Sequence, residues 1–197
     1  MDLNKVIFSR HSTRDYDDKR IKNEVLSEIL EIAKYAPSAG NMQNWVFMII
    51  EDKKKMSKLS EACLNQHWIS QAPLLIVVCY DERSAKTLFP EKALEYSIQN
   101  STAASIYIML KARDLDLGSC WVDIVKREEV SRQLKLPPYI IPSHIITIGY
   151  PKGDDKKTTR NEINLVTYFE EYGNKIKNFS IFPLQKKPDK VKKKKVK

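Results

Sequence analysis

Apolar residues along this chain follow two periods. Val25, Leu26, Ile29, Leu30, Ile32, Ala33 and Ala36 recur at helical spacing. They predict a helix opened by Asn23 as N-cap and closed before Pro37, because the residue ahead of a proline resists the α conformation. Three short continuous runs read instead as buried strands. They are Trp45–Ile50, residues 74–80 (β-branched and entered through Pro73) and residues 144–150 (closed by Gly149, Pro151 and Gly153). Residues 120–125 read as a weaker fourth strand. A long helical stretch covers residues 91–113, with Ser97, Ser101, Ala104 and Ser105 as a stripe of small side chains that lets another backbone or a flat ligand approach closely. Arg127–Leu134 and residues 162–172 read as further helices, the last stopped by Gly173. The elements mix without strict βαβ alternation. The expected class is α+β, with helices packed on a sheet of about four or five strands.

Charge changes this picture only at one end. The 197 residues include 34 Lys and Arg against 25 Asp and Glu, a net charge of +9. Residues 186–197 alone hold eight Lys and one Asp, or +7, which leaves +2 for everything before them. The basic character therefore belongs to a tail, expected to be solvated and without fixed structure. It lacks the interleaved aromatics or Arg that would read bases, so a nucleic-acid partner is not expected. Residues 174–185 carry Ile176, Phe179, Ile181, Phe182 and Leu184, an apolar segment expected to dock, for instance on a partner subunit. The expected organisation is thus a domain over residues 1–173, an extension over 174–185 and a Lys-rich tail over 186–197.

Several chemistries are disfavoured. The longest clean apolar run has seven residues, against roughly 20 for a membrane span, so no membrane partner is expected. The N-terminal stretch has no apolar signal region, which makes the cytoplasm the expected location. Cys63, Cys79 and Cys120 form no CxxC pair, and His11, His67 and His144 form no HExxH, so neither a disulfide framework nor a metal site is expected. Neither GxGxxG nor GxxxxGK[ST] occurs. Cys120 has no histidine at a diagnostic spacing and is not read as a nucleophile.

Four stretches could carry chemistry. Arg10-His11-Ser12-Thr13-Arg14 places two guanidinium forks and two hydroxyls just before the first long helix. If the segment is extended, Arg10, Ser12 and Arg14 share one side and could grip an elongated anion; a charged surface segment is the plainer reading. Residues 36–45, APSAGNMQNW, join a helix to a strand and offer open backbone groups with the amides of Asn41, Gln43 and Asn44; an ordinary helix-terminal turn would look similar. In Leu117-Gly118-Ser119-Cys120-Trp121, Gly118 permits close backbone approach, or simply a turn into a strand. Residues 148–153, IGYPKG, followed by Arg160, could bind an anion or form a solvated loop.

Their order and spacing are more telling than any one of them. RHSTR, APSAGNMQNW, ISQAPLLIVVCYD, GSCW and IGYPKG with Arg160 resemble the FMN-dependent nitroreductase family over roughly residues 4–172. The resemblance implies a nitroreductase-like α+β fold with a central, mostly antiparallel sheet, and a homodimer holding FMN at its interface. It implies that Arg10 and Ser12, with His11 between them, contact the phosphate and ribityl chain. Arg14 would be the cation at the pyrimidine edge, favouring the negative charge of reduced flavin. Pro37, Ser38, Ala39 and Asn41 would reach the flavin from the other subunit. Gly118 and Ser119 would lie along the isoalloxazine, Gln66 near the pyrimidine ring, and Arg160 would be a second phosphate cation. NADH or NADPH would be the reductant, and a small nitroaromatic or quinone the acceptor, in a ping-pong cycle with no protein acid or base. Alternatives within the resemblance are a specialised dehalogenase or deazaflavin user and a non-catalytic flavin-binding protein. The central helix lacks the insertions of larger members, so the cover over the substrate would be short.

Overall fold

The computed structural model describes residues 1–153 and 158–175. The chain forms two compact units, Met1–Lys157 and Thr158–Lys197. In the first unit, α1 (Leu3–Ser9), α2 (Asn23–Ala33), β1 (Trp45–Ile50), α3 (Lys53–Glu61), β2 (Leu74–Asp81), α4 (Glu82–Leu88), α5 (Ala93–Asp114), β3 (Gly118–Asp123), α6 (Arg127–Leu134) and β4 (Ile140–Gly149) follow in chain order.

The four strands make one antiparallel sheet in the order β1-β2-β4-β3. β2 and β4 are central, and the residues of β2 alternate between two cores. Leu75, Val77 and Cys79 pack with Met56, Leu59, Val130 and Leu134 on the side of α3 and α6. Leu74, Ile76 and Val78 pack with Ile29, Ala33, Ile108 and Ala112 on the side of α2 and α5. Covering both faces is why this strand is apolar without alternation. Pro142 lies inside β4, where the register against β2 shifts between Val78 and Cys79; a bulge accommodates a residue that cannot donate.

Three differences from the sequence-based expectation have local causes. α2 starts at Asn23, with Lys22 in the cap position, and ends at Ala33, three residues before Ala36. Residues 162–172 are not a helix: only a short turn forms at Ile163–Leu165, whose side chains are exposed. With Ile163, Leu165 and Val166 exposed rather than packed, so short a stretch does not sustain a helix. The short helices α1, α3 and α4 are each capped by an aspartate side chain, from Asp2, Asp52 and Asp81. Residues 176–185 and the Lys-rich tail lie outside the described residues.

α5 has an inverted surface. It buries Ser97, Asn100, Ser101 and Ser105 against the sheet side, yet exposes Leu94, Ile98, Ile106 and Tyr107. Its small residues thus serve close packing inside the unit, and Ser101 and Ser105 donate to the carbonyls of Ser97 and Ser101 one turn back. Because the Ser105 hydroxyl is spent there, His144 must donate from Nε2 to Ser105 Oγ (2.7 Å), while its Nδ1 accepts from Ser143 Oγ (3.0 Å). This imidazole stacks on Trp121 with centroids 3.5 Å apart, and burial pushes its pKa down to about 3. No described helix is long and apolar enough to cross a membrane.

Candidate functional site

The first cluster forms at the β3 edge. α1 ends at Ser9 and the chain leaves it extended at Arg10. Ser12 then bridges Ser119 in parallel, and the Thr13 N–H donates to Ser119 O at 3.0 Å. The segment is therefore a fragment of strand added beside β3. Thr13 turns inward and is buried, so its neighbours Ser12 and Arg14 turn the other way. A Cβ on Gly118 would stand 2.6–2.7 Å from three atoms of Thr13. Gly118 is thus required by Thr13, and any approach of a ligand to it would be through backbone atoms.

Tyr16 ties the segment down. Its buried hydroxyl donates to Thr13 O at 2.5 Å and lies 2.7 Å from Thr147 Oγ1. Tyr16 also bridges Pro151, and Asp17 N–H donates to Tyr150 O at 2.9 Å. The RHSTR, GSCW and IGYP stretches consequently meet at one corner of the sheet. Arg10, His11 and Ser12 are half-buried there and Arg14 is exposed. His11 Nδ1 lies 2.9 Å from Ser9 O. The Arg14 guanidinium sits 5.6 Å from the centre of the Trp68 ring, within cation–π range. Gln66, two residues before Trp68, donates to Cys63 O at 3.0 Å. Arg14 and the 66–68 turn are therefore neighbours.

The second cluster is loop 37–44, which leads into β1. Gly40, Asn41 and Gln43 all have positive φ, of 56°, 55° and 47°. Side chains hold this shape: Ser38 Oγ accepts from Gln43 N–H at 3.1 Å, and Gln43 Nε2 donates to Asn41 Oδ1 at 2.8 Å. Gly40 lies against Phe89, whose ring edge would be 3.1 Å from a Cβ there. Pro37 and Asn41 are exposed; Ser38 and Ala39 are half-buried.

The two clusters stand at diagonally opposite corners. Loop 37–44 enters the β1 edge at Trp45, opposite Tyr80. Ser119, on the β3 edge, lies opposite Ile148, which is opposite Leu74 at the far end of β2. At about 3.3 Å per residue along β2 and about 4.8 Å per strand across the sheet, the separation is about 24 Å. Arg160 belongs to the second unit, where its Nη1 donates to the carbonyls of Thr158 and Thr159. Among the buried thiols, Cys63 and Cys79 are pushed up to about 11 and about 12, mainly by burial. No group of metal-ligating side chains occurs among the described residues.

The nitroreductase family model matches residues 7–69 and 62–150. The chain belongs to the nitroreductase family. A nitroreductase relative from Archaeoglobus fulgidus, described as a putative NADH dehydrogenase/NAD(P)H nitroreductase, is 35% identical over 154 residues, covering 76% of this chain and 86% of that protein. An FMN reductase [NAD(P)H] of Bacillus subtilis is 30% identical over 189 residues, covering 87% and 76%. The solved structure of Bacillus megaterium NfrA2 superposes with a TM-score of 0.81 at 27% identity, over 93% of this chain and 78% of that one. The family's α+β sheet architecture is the one described above.

Four residues shape these two clusters in ways that the sequence did not announce. Thr13 and Tyr16 lie inside or beside RHSTR, but their inward direction follows from the bridge to Ser119. Trp68 meets Arg14 only in three dimensions. Asn100 sits in the small-residue stripe of α5, one turn after Ser97, and its amide was the available clue.

Proposed function

We propose that this nitroreductase-family chain is an FMN-dependent oxidoreductase that works as a homodimer, takes electrons from NADH or NADPH and delivers them to a small acceptor of the nitroaromatic or quinone type. Bound FMN would supply the redox chemistry, accepting a hydride from the nicotinamide and passing electrons to the acceptor. The observation that carries the reading is the split site: two clusters of ligand-type residues at opposite corners of one sheet. Neither is complete alone, and a separation of about 24 Å is too great for one ring system to touch both. A two-fold dimer places the loop of one chain against the RHSTR corner of the other and does so twice.

The residues present fit FMN by the chemistry of their donors. Arg10 and Ser12 offer the fork and hydroxyl that suit a phosphate and ribityl chain, with His11 beside them. Arg14, steadied by Trp68, offsets negative charge gathering at the pyrimidine edge, and Gln66 adds an amide nearby. Gly118 and Ser119 are buried behind the RHSTR segment in this chain and are assigned to the ring on the motif alone. Pro37, Ser38, Ala39 and Asn41 cover it from the other chain. Arg160 is assigned to the phosphate on the motif alone. No protein acid or base is needed, and one opening for both donor and acceptor implies ping-pong kinetics.

The exposed apolar side chains support the dimer. Leu94, Ile98 and Ile106 line one side of α5, and Leu3, Ile7 and Phe8 are exposed on α1. Such a face normally marks an interface. The test is a visible spectrum of the purified protein, followed by extraction of the chromophore. FMN released at near-equimolar amounts and bleached by NADH or NADPH is the expected result. A colourless protein that FMN cannot reconstitute contradicts the reading.

A further inference from the structure

Loop 37–44 is held in place from inside the unit by a directed chain of hydrogen bonds. The Ala39 N–H donates to Asn100 Oδ1 at 2.8 Å. Asn100 Nδ2 donates to Asn44 Oδ1 at 2.8 Å, and Asn44 Nδ2 donates to Asp81 O at 2.9 Å and to Ser97 Oγ at 3.0 Å. Asn44 O in turn accepts from Asp81 N–H at 2.8 Å. The direction is set at both ends: Ala39 N–H can only donate and Asp81 O can only accept, so each amide has one orientation. Asn100 is 2% exposed and Asn44 is 5% exposed, so water does not compete for the bonds between the two amides and to Ser97.

We infer that Asn100 is a positioning residue for the flavin site: through Ala39 it fixes the loop that covers the cofactor of the partner subunit. The inference rests on the dimeric FMN reading above. It explains why a buried helix face carries an amide among serines, and how a loop with three left-handed residues keeps one shape. Asn100 touches neither cofactor nor substrate; its effect passes through the Ala39 backbone.

The experiment compares Asn100→Ala with Ser105→Ala, a buried polar truncation further along α5 whose partner is His144. FMN affinity of the apo-protein, read by quenching of flavin fluorescence, should fall about tenfold or more in Asn100→Ala, given the cost of leaving a buried N–H unpaired, and stay near wild type in Ser105→Ala. Equal losses in Asn100→Ala and Ser105→Ala would overturn the inference. Amide exchange gives a readout that needs neither FMN nor a folded variant. In the wild-type protein the Ala39 N–H should exchange more slowly than the Gly40 N–H beside it, and a freely exchanging Ala39 would refute the relay. If wild-type protein takes up no FMN while Ala39 is protected, the functional reading fails and the relay stands.

Discussion

The RHSTR corner and loop 37–44 solve the same problem by different means. The first is held by main chain: Ser12 and Thr13 pair with Ser119, and Tyr16 and Asp17 pair with residues 150–151. The second is held by side chains: Asn44, Asn100 and Ser38 supply the bonds, and three residues accept left-handed backbone. Strand pairing fixes where side chains point by alternation alone, so a gripping set such as Arg10, Ser12 and Arg14 can be written directly into sequence. A loop without pairing depends on partners distant in the chain. Its geometry is therefore sensitive to single buried substitutions elsewhere.

The sharpest way to break the main-chain corner is at Gly118. A Cβ there meets Thr13 at 2.6–2.7 Å, including the Thr13 Cβ itself. Gly118→Val should cost about 3 kcal/mol, the upper range for overpacking, and abolish FMN retention. Thermal unfolding checks the first effect and bound flavin the second. Gly118→Ala should be eased more by Thr13→Gly than by Thr13→Ala, since only the former removes all three clashing atoms, the Cβ included; a double-mutant cycle reads that coupling.

Acid tests the sheet that both corners share. His144 lies between β2 and β3, is neutral in the fold and has its pKa depressed from 6.5 to about 3. The unfolded chain therefore binds the extra proton first. Stability is complete above about pH 6.5 and declines as pH falls toward 3, by up to about 1.4 kcal/mol per pH unit from this group. His144→Gln should flatten that slope in denaturant titrations run at several pH values. An unchanged slope would show that other groups govern the acid response.

The side-chain-held loop is tested at Gly40, where φ is +56° and Phe89 leaves little room. Gly40→Ala should cost about 1–2 kcal/mol through left-handed strain. It should weaken FMN without disturbing the RHSTR corner, as residue-level amide exchange can verify. The mildest probe is Tyr16→Phe, which removes the bond to Thr13 O and the contact with Thr147. A loss of about 1 kcal/mol is expected, with a modest rise in the FMN dissociation constant.

The contrast also explains what could be read in advance. The run from Leu74 and the alternation of Arg10, Ser12 and Arg14 are local patterns, and the structure places them as a central strand and an edge segment. Trp45–Ile50 and Arg127–Leu134 match their elements residue for residue. Residues 162–172 misled because a helix-like stretch ended by a glycine says nothing of whether a surface exists to receive it, and Ile163, Leu165 and Val166 are exposed. The stripe on α5 announced small residues but not their use, since a serine that packs a helix onto a sheet looks like one that admits a ligand. Gly118 carried the right signal, close approach, while the neighbour it admits is Thr13. Asn100 and Trp68 matter through partners 61 and 54 residues away, a relation that no local pattern encodes.

The central claim is that each flavin site takes one corner from each chain. A mixed dimer tests it directly. One chain carries Arg10→Ala with Arg14→Ala, the other Ser38→Ala with Asn41→Ala, and two different tags isolate the heterodimer. Each homodimer should fail to retain FMN, whereas the heterodimer concentrates both lesions in one site and should regain FMN at the other. A heterodimer as empty as its parents would place both corners around one flavin within a single chain and contradict the account.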